Sequence, residues 1–297
     1  MHGHAHGHAH GSGEDARRLG LALALILAFM AGEIVAGILA HSLALLSDAA
    51  HMLTDAGALV MSLVVLRLAA QPARGNRTFG LRRSEILSAQ ANGAALLVLA
   101  CLIVYGAARR LVSPPDARGG WILVVALAGI GVNLLATWQL AGANRQSLNI
   151  EGSFQHVLND LYAFIATALA GAVILATGWV RADPVAALFV AALMLRASWR
   201  LLRDSGRVLL DIAPAALPVR EIGTAMASHP GVVEVHDLHV WEVTTEFPTL
   251  SAHVLVEPGA DCHGIRRELE ALLRVRFDLE HTTLQVEHAP AKLVQIR

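Results

Sequence analysis

Charge is what this sequence has least of. Only 16% of its 297 residues are Asp, Glu, Lys or Arg, where soluble globular domains carry about 25%. Meanwhile 55% are hydrophobic and the mean hydropathy is +0.53. That balance excludes an ordinary water-soluble chain and points to lipid. The formal net charge of −1 offers no basic surface to nucleic acid. Lysine is nearly absent, Lys292 being the only one, and the preference for arginine reads as compositional bias. The two cysteines, Cys101 and Cys262, are far apart and the first lies in an apolar run. Neither a disulfide nor a Cys-rich zinc knuckle is therefore expected. No His-Glu-x-x-His stretch occurs, which removes the general base of an intramembrane metal hydrolase. A cleavable leader is not expected, because the N-terminus is polar and the first apolar run is long enough to span.

What is present begins with a low-complexity arm. His2, His4, His6, His8 and His10 alternate with Gly and Ala, so residues 1–16 are expected to be disordered and to collect metal loosely. Six apolar stretches follow, near 18–40, 43–68, 85–110, 120–142, 152–178 and 183–203. Each is long enough for a ~30 Å hydrocarbon core, which takes about 20 residues. Turn-like sequence separates them at Gln71-Pro72-Ala73-Arg74-Gly75, Ser113-Pro114-Pro115-Asp116 and Ala182-Asp183-Pro184. Arginines crowd one side of this arrangement, among them Arg17, Arg18, Arg74, Arg77, Arg82, Arg83, Arg145, Arg200 and Arg203. Arg109, Arg110, Arg118 and Arg181 stand against them. The positive-inside rule puts both termini in the cytoplasm, and a bacterial inner membrane is the expected location.

From about residue 207 the sequence turns charged and patterned. Leu217 to Ser228 reads as an amphipathic helix ended by His229-Pro230-Gly231. Val232 to Val243 and Thr249 to Glu257 read as strands, Asp261 caps a helix to about Phe277, and His281 to His288 reads as a third strand. The expected fold is thus a six-helix transmembrane domain over 17–206, followed by an α+β domain over 207–297 of order αββαβ, ferredoxin-like, with two helices on one face.

Two apolar stretches carry the same polar spacing: His51-Met52-Leu53-Thr54-Asp55 and His156-Val157-Leu158-Asn159-Asp160. On a helix, i and i+4 share a face. A charged side chain at mid-bilayer costs at least ~2.5–3.5 kcal/mol, so such residues are functional by default. Two facing helices would supply two nitrogens and two oxygens, a set suited to tetrahedral zinc. The bland alternative is that each His–Asp pair satisfies itself within its own helix. Asp48 shares the face of Asp55, Glu33 is also in apolar surroundings, and Asn92, Asn133 and Asn159 are expected to bond between helices. In the C-terminal part, His229, His236, His239, His253, His263, His281 and His288 could bind further zinc. His236 and His239 fall on opposite faces of an alternating strand unless a bulge intervenes.

The run from Ser42 through Asp48, His51 and Asp55 resembles the second-span signature of the cation diffusion facilitators, a family of zinc/proton antiporters. Asn76-Arg77-Thr78-Phe79-Gly80 through Arg83-Ser84-Glu85-Ile86-Leu87 is similar to that family's loop into span three. Val235-His236-Asp237-Leu238-His239-Val240-Trp241 is similar to the first strand of its cytoplasmic domain. The resemblance implies a homodimer that exports zinc, with cadmium or cobalt as further cargo, in exchange for protons, and a role in heavy-metal resistance. It implies no enzymatic activity. It implies a transport site of His51, Asp55, His156 and Asp160, and a cytoplasmic metal site drawn from His236, His253, His281 and Glu287. The loop Ala69 to Leu81 contains neither His nor acid, so no metal site is expected there.

Overall fold

The structure is a computed structural model that describes residues 9–39, 43–113, 119–245 and 247–290. The side chains of residues 43–51, those of Asp48 and His51 among them, lie outside that description, as do residues 1–8 altogether. The chain divides into two compact units, Met1–Ser205 and Gly206–Arg297.

The first unit is built of long helices: α1 (Ala9–Leu39), α2 (Leu43–Ala69), α3 (Ser84–Val112), α4 (Gly119–Ala141), α5 (Leu148–Thr177) and α6 (Ala182–Leu209), the last crossing the unit boundary. Five of these contain segments long and apolar enough to cross a membrane, at Gly13–Val35, Ser84–Val112, Leu123–Ala141, Leu148–Thr177 and Ala182–Leu209. α2 runs 27 residues, about 40 Å at 1.5 Å per residue, which also suffices. Leu102, Trp138, Leu169 and Phe189 are exposed on the outside of the helices. Such a surface suits lipid, and the protein is a multi-pass membrane protein.

Leu19 and Ile26 of α1, Met52 and Leu59 of α2, Leu140 of α4, and Ile150 and Val157 of α5 form one buried apolar cluster. A second joins Leu96 and Ala100 of α3 to Val190 and Met194 of α6. There Gly93 permits close approach, since a Cβ would lie 3.0 Å from the Leu202 side chain, and the Ser198 hydroxyl donates to the Gly93 carbonyl at 2.7 Å. α5 ends at Gly178, whose φ of 72° is the left-handed cap that glycine adopts without strain.

Several boundaries differ from the sequence expectation: α6 runs on to Leu209 past the expected 203, and two others have a visible cause. Residues 9–16, expected to be disordered, are the first turns of α1. Extending an existing helix adds one hydrogen bond per residue fixed, and here Asp15 also accepts the Asn144 amide at 2.9 Å. α5 begins at Leu148 rather than 152, because its polar first turn is satisfied from elsewhere. Glu151 takes Arg145 at 2.9 and 3.3 Å, and that guanidinium lies over the Phe154 ring at 3.8 Å.

The second unit contains α7 (Val219–Ala227), β1 (Val232–Glu242), β2 (Pro248–Val256), α8 (Cys262–Phe277) and β3 (His281–His288). The sheet order is β1-β2-β3, with β1 and β2 antiparallel and β2 and β3 parallel across the α8 crossover. Leu250, Ala252, Val254 and Val256 alternate onto the buried face of β2, packing with Ile222 and Met226 of α7 and Leu269 and Leu273 of α8. Ser251, His253 and Leu255 point to the other face.

Candidate metal centres

Three of the four candidate metal residues on the helices come together across a seam. His156 Nε2 lies 2.9 Å from Asp55 Oδ1, joining α5 to α2, and both side chains are buried. One ligand atom each from Asp55, His156 and Asp160 falls within 4.8 Å of the others. The pairing of His156 is thus between helices, and the alternative of a pair closed within one helix fails for it. Burying a carboxyl group in apolar surroundings is tolerated only with partners of this kind. His156 Nδ1 is buried with no hydrogen-bond partner among the described residues. His51 stands on α2 one turn before Asp55, and its side chain lies outside the described residues. One imidazole and two carboxyl groups are therefore assembled, a nitrogen–oxygen donor set for a borderline divalent ion.

Polar residues that the sequence reading passed over continue the same seam. The hydroxyls of Ser62 and Ser153 bond at 2.6 Å, Asn149 Nδ2 donates to the Ser62 carbonyl at 3.1 Å, and Ser153 lies 3.1 Å from the Asn149 carbonyl. Their signal was available: Asn149 and Ser153 each precede a metal residue of α5 by seven positions, two helical turns. Of the three asparagines expected to bridge helices, Asn92 leaves its side-chain Nδ2 buried without a hydrogen-bond partner among the described residues, and the other two bond locally. Asn133 donates to Gly129 at 3.1 Å and Asn159 to Gln155 at 2.7 Å, each within its own helix.

In the sheet unit, β1 slips register between His236 and His239. His236 sits opposite His253 and His239 opposite Ser251, and Asp237 takes a left-handed φ of 48°. This bulge puts His236, His239 and His253 on one face, the condition under which the two β1 histidines can share it. The His236 and His253 rings are 5.4 Å apart, and Asp237 joins them in a group whose ligand atoms lie within 4.8 Å.

The expected four-residue set is not assembled within the chain. His281 pairs in register with Thr249, far along β2 from His253, and packs on the Phe247 ring at 5.3 Å. Glu287 stands opposite Leu255 and accepts the Gln285 amide at 2.5 Å. Asp237 was missed because alternation places it on the opposite face from His236. Nearby, the Asp261 carboxyl caps α8. The backbone N–H of Gly264, with lesser help from that of His263, holds it below the ordinary carboxylate range.

Residues 19–210 match the family model for the cation efflux transmembrane domain, and residues 214–289 that for the cation efflux protein cytoplasmic domain. The chain is 39% identical over 264 residues to the zinc transporter ZitB of Shigella flexneri, covering 88% of this chain and 84% of that protein. It is 36% identical over 267 residues to the cadmium, cobalt and zinc/H(+)-K(+) antiporter of Bacillus subtilis, covering 88% and 86%. It is 38% identical over 266 residues to the metal cation efflux system protein CzcD of Cupriavidus metallidurans, covering 89% and 84%. Among solved structures, the metal-bound C-terminal domain of that CzcD transporter is 30% identical and covers 24% of this chain and 99% of its own. The TM-score is 0.23.

Proposed function

Because the chain belongs to the cation efflux family, whose members export divalent metals, we propose that it exchanges cytoplasmic zinc for protons by alternating access. In this reading the zinc site lies between α2 and α5, supported by the side chains that meet there. The observation that carries this reading is the His156–Asp55 pair, 2.9 Å across two apolar helices, with Asp160 beside it. His51 completes a tetrahedron with these three. Cadmium and cobalt are secondary cargo.

Zinc and protons compete for the same atoms, since ligands must be deprotonated to bind metal. With the site open to the cytoplasm, arriving zinc displaces protons. With the site open outward, protons from a more acidic exterior displace zinc. Imidazole suits this exchange because its unperturbed pKa of about 6.5 lies within the working range. The arginine distribution supports a topology with both termini in the cytoplasm of a bacterial inner-membrane protein.

In the cytoplasm the sheet units pair in a homodimer, and His236 and His253 hold one regulatory zinc, with Asp237 as third ligand in place of His281 and Glu287. Zinc bound there tightens the dimer and favours one transport state.

The test is zinc uptake into proteoliposomes under an imposed pH gradient, comparing the intact chain with Asp160→Ala. Proton-coupled flux that disappears in the variant is the expected result. Binding without flux in the intact chain would make the protein a metal receptor. Full flux in the variant would remove Asp160 from the site.

A further inference from the structure

On α5, Asn149, Ser153, His156 and Asp160 follow one another at spacings of four, three and four, a single stripe along the helix. On α2, Ser62 stands seven residues beyond Asp55. On α2 this interval is about 10 Å, two turns; on α5 Asn149 stands as far before His156, while Ser153 stands one turn, about 4.5 Å, before it. At that level Ser62, Asn149 and Ser153 are 0%, 0% and 1% exposed. With one proton on each hydroxyl, Ser153 donates to the Asn149 carbonyl and accepts from Ser62, while the Asn149 amide donates to the Ser62 carbonyl. Leu59, between Asp55 and Ser62 on α2, is fully buried as well.

We propose that Ser62, Asn149 and Ser153 form the cytoplasmic gate of the metal path. This rests on the alternating-access reading above, in which the Ala69 end of α2 and the Leu148 end of α5 face the cytoplasm. The network ties together the two helices that supply the metal ligands. Any separation of α5 from α2 that admits an ion along the seam must break it. Its chemistry suits repeated opening, because hydrogen bonds within protein exchange for hydrogen bonds to water at small net cost, unlike buried apolar contacts. Asn149 Oδ1 is buried without a hydrogen-bond partner among the described residues, so the closed seam leaves one acceptor unmet that water satisfies on opening. Once open, two hydroxyls and the amide oxygen line the way in with neutral oxygen donors. These replace part of an ion's hydration but hold zinc less firmly than imidazole and carboxylate, so the ion passes on to His156 and Asp160.

The gate is tested with Ser62→Cys and Ser153→Cys together, in the full chain with Cys101 and Cys262 changed to Ser. Oxidation should link the pair and reduce zinc flux in proteoliposomes at least about tenfold, with recovery on reduction. Equilibrium dialysis on the linked protein should still find zinc bound between α2 and α5. Unchanged flux in the linked protein, or a pair that never links, would overturn the gate. If the intact chain itself carries no zinc, the antiport reading has failed, and the gate is judged by accessibility alone. The single Ser62→Cys variant should then react with a maleimide at rates differing at least about tenfold between zinc-free and zinc-saturated protein. Equal rates would make the seam a static contact.

Discussion

In the membrane unit, Asp55 and His156 are 5% and 3% exposed, whereas in the sheet unit His236 and His253 are half-buried and Asp237 is exposed. The residue types are the same and the surroundings are opposite. A buried donor set must be matched in charge and hydrogen bonding at every stage, because an unpaired group has no water to turn to. Such a set suits stringent exchange of one ligand for another, the property the proposed zinc/proton antiport requires. A half-exposed set keeps water as a standing ligand, so it loads and unloads with concentration and bears on the fold around it only weakly.

The sharpest way to break this contrast is His156→Ala. It should abolish zinc flux and also lower stability by about 3–5 kcal/mol, since Asp55 is left buried without its partner. Proteoliposome uptake and thermal unfolding in detergent read the two effects. Flux that survives the substitution would reduce the buried pair to a structural contact.

Next in size is His51→Asp, which replaces an imidazole by an oxygen donor and should widen selectivity toward cadmium, measured as the ratio of cadmium to zinc uptake. An unchanged ratio would remove His51 from the ligand set.

A smaller effect is expected from His236→Ala with His253→Ala. Bound zinc should fall by one per chain, and the zinc-induced stabilisation of the sheet unit, about 2.7 kcal/mol at a hundredfold excess over Kd, should disappear. Flux at saturating zinc should remain within about threefold, because the transport ligands are untouched. Unaltered stoichiometry together with unaltered zinc dependence of transport would dismiss the regulatory site.

The smallest is Asp261→Ala. Its carboxyl is held low in the folded state, so its support of α8 is complete above the ordinary carboxylate value of 3.8 and is lost as pH falls through the lower folded value. Amide exchange at the start of α8 should be faster in the variant at neutral pH, and the difference should close in acid. A difference that persists in strong acid would mean that the carboxylate is not the cap.

The same contrast explains what could be read from the sequence. Six helices, the αββαβ order, β3 at 281–288 and the Asp261 cap are all local signals of hydropathy, alternation or capping. Asp55, His156 and Asp160 were legible because polar groups at regular spacing stand out against apolar sequence. Beyond the facing of α2 and α5, partnership between elements was not legible. Asn149 bridges helices while Asn133 and Asn159 do not, a difference that depends on which neighbour each face meets. The half-exposed cluster was less legible still, since histidines in polar sequence carry no contrast and strand register decides which of them meet.

The slip in β1 amounts to a change of phase. Between an earlier slip after Val232 and this one, even-numbered residues look outward, Glu234 and His236, and Val235 faces the helices. After it, odd-numbered residues look outward, His239 and Trp241, and Leu238 and Val240 face the helices. One extra residue lets a single strand keep its histidines on one surface without surrendering a core position. It also makes the outward-facing set of this strand dependent on parity. A relative that lacks the extra residue would present different side chains at aligned positions, so ligands here must be compared by face, with the count restarted at Asp237.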